Sequence, residues 1–126
     1  MSKLALTRSK RILVVDDNRD WADSLAAVLV DEGHSVQTAY DGSEAIVAAG
    51  TFRPNIVLMD IRMPKLTGYD AARVFSRHPK ETRPLLIAIT AWPGEPESLQ
   101  AHTSGFDHCL SKSAEAAEIL QLLESI

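Results

Sequence analysis

At 126 residues, 45% of them hydrophobic and 24% charged, the chain has the size and balance of one globular domain with a real core and leaves no room for a second. A formal net charge of -4 argues against a polyanion as the main partner, and the single Cys109 excludes an internal disulfide. There is no Cys/His grouping at zinc-ligand spacing, no apolar run near the roughly 20 residues of a membrane span, and no signal peptide in Met1 to Lys10, so a cytoplasmic, reducing setting is expected. The one basic cluster, Lys3, Arg8, Lys10 and Arg11, reads as a solvated arm over residues 1–10, with the folded domain over 11–126.

Arg11 to Asp16 is a β-rich apolar run and predicts the first buried strand. Asn18 can cap a helix through about Glu32, in which Trp21, Leu25, Val28 and Leu29 recur on one face as core positions and Gly33 ends the turn. Ser35 to Ala39 is a more polar strand that suits a sheet edge. Asp41 with Glu44 resembles a capping box and opens a short Ala-rich helix expected to stop near Gly50, ahead of Pro54. Ile56 to Met59 is too short for a buried helix and right for a buried parallel strand, and Asp60 follows it directly.

Beyond the Met63-Pro64 turn, Thr67 is a candidate cap for a helix over Gly68 to Arg77, closed by His78-Pro79. Leu85 to Thr90 is the next apolar strand. Pro93, Gly94 and Pro96 crowd the following segment, which predicts a short helix from near Pro96 that ends before Gly105. His108 to Leu110 is a brief last strand, and Ser113 can cap a closing helix that turns Ile119, Leu120, Leu122 and Leu123 to the sheet. His34, His78 and His102 fall in polar surroundings and are expected at the surface. Strands alternating with helices in this way predict a parallel sheet covered on both faces, a single-domain α/β/α sandwich.

In such sheets ligands bind at the carboxyl edge of the strands, and that edge collects this chain's chemistry. Asp16 and Asp17 follow the first strand, Asp60 the third, Thr90 ends the fourth, and Lys112 follows the fifth. Taken singly, Thr90 is an ordinary strand-end hydroxyl and Lys112 a solvated charge; their shared edge with three acids is what marks them. Three carboxylates gathered this way call for a cation.

These residues sit in an Asp-Asp pair, an Asp60-x-x-Met63-Pro64-x-x-x-Gly68 run, a Thr90-Ala91 pair and a Gly-Phe-Asp shortly before Lys112. In that combination, from about Arg11 to Ile126, the chain resembles the receiver domains of two-component response regulators. The resemblance implies a flavodoxin-like sheet of order 2-1-3-4-5 and a magnesium-dependent phosphoryl acceptor at Asp60, fed by a sensor histidine kinase or a histidine phosphotransfer protein. It implies that Asp17 and Asp60 bind magnesium directly, with Asp16 acting through water and the backbone carbonyl of Arg62 completing the set. Lys112 and Thr90 would stabilise the phosphoryl oxygens, with Ala91 leaving space.

The chain departs from the family at three places. Ser113 follows Lys112 where a cis proline is usual, which predicts a trans bond with a rearranged loop or a strained cis bond. Cys109 takes a position commonly held by Tyr or Phe, so readout of the switch is expected through the Trp92 loop and the short helix that follows it. Arg62 and Trp92 flank the expected entrance and would shield an acyl phosphate from water. A magnesium phosphohydrolase is disfavoured, because Arg62 stands where a general-acid Asp is needed. The chain is therefore expected to be a signalling acceptor that assists only its own phosphorylation and dephosphorylation, either standing alone or cut from a larger protein. The alternative is a receiver-like interaction module with lost or altered switching.

Overall fold

Runs of four to six apolar residues broken by capped helices leave the backbone one economical solution, a parallel sheet with its crossovers packed on both sides. The computed structural model describes residues 9–61, 68–77, 79, 81–90, 105–112 and 116–126. Its strands are β1 (Arg11–Val15), β2 (Ser35–Ala39), β3 (Ile56–Asp60), β4 (Leu85–Thr90) and β5 (His108–Ser111). The described helices are α1 (Arg19–Asp31), α2 (Gly42–Phe52), α3 (Gly68–Ser76) and α4 (Ala116–Glu124). The sheet order is β2-β1-β3-β4-β5 and every pairing is parallel, as the resemblance implies.

The pleat divides the core in two. On one face Leu13, Val15, Val57 and Met59 pack with Ala45 and Ala48 of α2 and Ala71 and Phe75 of α3. On the other, Ile12, Val14, Ile56 and Leu58 pack with Leu25 and Leu29 of α1 and Ile119 and Leu123 of α4. All five residues of β3 are buried, whereas β2 alternates toward solvent, as an edge strand should. Among the described residues no helix is long and apolar enough to cross a membrane.

Two expectations are corrected. The α2 helix does not stop near Gly50; it runs to Phe52 and turns at Arg53, whose φ of 52° is left-handed and whose N–H still donates to Ala49 O at 3.1 Å. Pro54 disfavours the helical conformation of the residue before it, and the chain breaks there and not at the glycine. His34 is not a surface residue: it is buried, and its Nδ1 accepts the Lys10 N–H at 3.1 Å. The expected helix from near Pro96, the Thr67 and Ser113 caps, the Met63-Pro64 turn, His78, His102 and the Lys112-Ser113 bond lie outside the described residues.

Candidate functional site

The site forms where β1, β3, β4 and β5 release their chains at one edge. Val15 pairs with Met59, which sets Asp16 beside Asp60, and Asp60 in turn pairs with Ile89 next to Thr90. The Asp16 N–H donates to Ala39 O at 3.1 Å, which extends the ladder one residue past β1 and holds Asp16 fully buried. The Asp16 Oδ1 then accepts the Asn18 N–H at 2.9 Å, and Asn18 Oδ1 accepts the Trp21 N–H at 3.1 Å. One side chain thus turns the loop and the next caps α1. Asp17 lies between them and is exposed.

On the opposite flank, Lys112 N–H donates to Thr90 O at 2.7 Å, fixing the lysine directly after β5. Its ammonium reaches back across the edge to Asp16 Oδ2 at 2.8 Å and to Asp60 Oδ2 at 3.4 Å. Burial works to lower the Lys112 pKa, but the close approach of Asp16 and the charge of Asp60 outweigh it and hold the pKa above the ordinary lysine value. Lys112 therefore stays a cation at any neutral pH.

The arrangement suits a hard divalent ion. Asp16, Asp17 and Asp60 can each offer a carboxylate oxygen, and the three oxygens lie within 4.8 Å of one another. Asp16 Oδ2 is buried and, among the described residues, has no polar partner besides the Lys112 ammonium at 2.8 Å, which meets its charge. A buried oxygen left so is a ligand position that an oxygen-seeking cation such as magnesium can use.

Of the residues singled out in the sequence, Asp16, Asp17, Asp60 and Lys112 converge, and Thr90 is buried at the same edge, 1% exposed. Arg62, Ala91, Trp92 and Ser113 lie outside the described residues. Cys109 packs half-buried against the α2 and α3 side of the sheet. Two features were missed. The shorter ion pair of Lys112 is to Asp16 and not to Asp60, and Trp21, read as core, is only half-buried and presents its ring to the Lys112 ammonium at 5.4 Å from the centroid. The signal for the second was present: Trp21 falls in the first turn of the helix that starts at the acidic pair.

The family model of the response regulator receiver domain matches residues 12–124. Response regulator MprA of Mycobacterium tuberculosis is 34% identical over 118 residues, which are 94% of this chain and 50% of MprA; the chain thus spans about half the length of that relative. The receiver domain of sensor histidine kinase PA1611 from Pseudomonas aeruginosa, solved with a magnesium ion coordinated in its active-site cleft, is 30% identical with a TM-score of 0.83, covering 94% of this chain and 97% of that one. A response regulator protein of Burkholderia pseudomallei, solved with a phosphorylated aspartic acid and a calcium ion, is 25% identical with a TM-score of 0.81, covering 93% and 68%.

Proposed function

The chain belongs to the response regulator receiver domains, and from that premise we propose that Asp60 accepts a phosphoryl group from a phosphohistidine, on a sensor kinase or a histidine phosphotransfer protein, and so switches a protein-binding surface. The observation that carries the reading is the meeting of Asp16, Asp17, Asp60 and Lys112 at one strand edge. An Asp60 oxygen attacks phosphorus, the phosphorus–nitrogen bond breaks, and the imidazole leaves. The product is an acyl phosphate. A carboxylate approaching an anionic phosphoryl group must overcome like charge, and Lys112 offsets it from 3.4 Å away. Thr90, buried one position past the register partner of Asp60, supplies a hydroxyl donor for a phosphoryl oxygen.

Magnesium would be held by Asp16, Asp17 and Asp60, with the Arg62 carbonyl as a further ligand; when bound it neutralises charge on the transferring group. The magnesium in the PA1611 receiver and the phosphorylated aspartate of the Burkholderia regulator support this reading. The protein serves as substrate and partial catalyst of its own modification, in the cytoplasm, with a protein as the downstream partner.

The reading is tested with a small phosphoramidate as donor, magnesium present, and the label followed by intact mass. The wild-type chain should gain one phosphoryl group that alkaline hydroxylamine removes. Asp60→Asn should gain none, and chelation of magnesium should suppress labelling of the wild type. Label retained in Asp60→Asn would overturn the assignment. No label in either chain would favour the interaction module, a reading to which the small, half-buried Cys109 lends support by replacing the usual ring.

A further inference from the structure

Among the described residues Lys112 meets three side chains, not two. Its ammonium touches Asp16 Oδ2 at 2.8 Å and Asp60 Oδ2 at 3.4 Å, and it lies over the Trp21 ring, 5.4 Å from the centroid. That separation is within the roughly 6 Å at which an indole face attracts a cation. The ring is not a loose surface group. Trp21 packs half-buried against the α1 side of the core, and its backbone N–H is tied through Asn18 to the same turn that fixes Asp16. The fixed main chain and the packing against the core restrain the indole more than the long lysine stem is restrained.

A divalent ion among Asp16, Asp17 and Asp60 would draw on the oxygens that the ammonium now contacts, and two cations sharing those ligands repel each other. The ammonium then needs another attractive surface inside the pocket, or it must leave for solvent and be lost to the phosphoryl group. We propose that Trp21 is a positioning residue for Lys112, whose ring is the second seat of the ammonium when a divalent cation occupies the carboxylates. The ring lowers the cost of holding both cations at once. This inference rests on the reading of Asp16, Asp17 and Asp60 as a divalent-cation site, and it is separable from phosphorylation of Asp60.

The probe is magnesium alone, titrated into the full chain in a Trp92→Phe background, so that Trp21 is the only tryptophan and is excited selectively. Folding of each variant is checked by circular dichroism. Trp21 emission should change on magnesium addition, and Lys112→Met should abolish most of that change. With Trp21→Leu, which keeps the apolar flank but removes the ring, binding is followed by calorimetry; magnesium affinity should fall about three- to tenfold, the range a partly desolvated cation–ring contact supports. Trp21→Phe should fall in between.

In a chain that already carries Lys112→Met, Trp21→Leu should change affinity little, since the ring acts through the lysine. An unchanged or tighter affinity in Trp21→Leu, or an equal loss with and without Lys112, would overturn the proposal while leaving the cation site intact. No magnesium binding by any chain would remove the cation site itself, and the second seat with it. None of these readouts requires phosphotransfer, so failure of Asp60 to be labelled leaves the test decisive.

Discussion

His34 shows how one side chain can set a pH dependence far from the strand-end site. Burial first, and then the charge of Lys10, hold its pKa below the ordinary value of 6.5, against an opposing pull from Glu32. The neutral ring is also the form the fold uses, because Nδ1 accepts the Lys10 N–H at 3.1 Å and a protonated Nδ1 could only donate. With the folded pKa depressed, the unfolded chain takes up a proton first as pH falls. Well above 6.5 both states are neutral and His34 contributes no slope; as pH falls through 6.5 stability declines until the folded pKa is passed. Urea melts from pH 7.5 to 5 should therefore show a falling midpoint, and His34→Asn, which keeps an acceptor but cannot titrate, should flatten that fall. An equal slope in the variant would assign the pH dependence to other groups. Polar neighbours in the sequence had marked His34 for the surface. Its burial depends on Lys10 arriving from 24 residues away, which local composition does not encode.

At the scale of the element, caps were legible and helix ends were less so. The Asp41 side chain accepts the Glu44 N–H at 2.8 Å, as the capping pattern predicts, and Glu44 replies to the Tyr40 N–H at 3.2 Å, one residue earlier than a strict capping box. Gly33, with φ of 99°, closes α1 as read from sequence. Gly50 has the same residue type and a different role, because a glycine ends a helix only where the fold lets the chain turn, and here the turn waits for Pro54. Gly50 is thus an exposed glycine inside α2, and a Cβ built on it would meet nothing within 4 Å. Gly50→Ala should stabilise the protein by about 0.5–1 kcal/mol, since it removes backbone freedom from the unfolded chain and adds no clash. Thermal melts should show the gain, with magnesium affinity unchanged. A loss of stability would mean that the last turn of α2 depends on the backbone freedom of a glycine.

The whole molecule sets a stabilising core against a site that opposes folding. The alternating pattern of strands and helices was readable in advance because β1 and β3 must be apolar on both faces to be central, and this also fixed the edge at which the acids emerge. How the lysine divides itself between the acids was not readable, since that depends on side-chain reach across strands brought together from 52 residues apart. Among the described residues, three carboxylates within 4.8 Å and one ammonium leave excess negative charge at the edge. A divalent cation that binds only the folded chain relieves it and stabilises by mass action, by about 2.7 kcal/mol at a hundredfold excess over its dissociation constant. Asp17 isolates this effect because it is exposed, while Asp16 and Asp60 hold Lys112. Asp17→Asn should raise the melting temperature slightly without divalent ions and cancel most of the rise that magnesium gives the wild-type chain. Leu58→Ala, which empties a core position 1% exposed, should cost about 2–5 kcal/mol with or without magnesium and leave the magnesium increment as it was. If Asp17→Asn kept the full increment, the ion would be stabilising the chain from somewhere other than this edge, and the stability cost of the acidic cluster would need another explanation than cation binding.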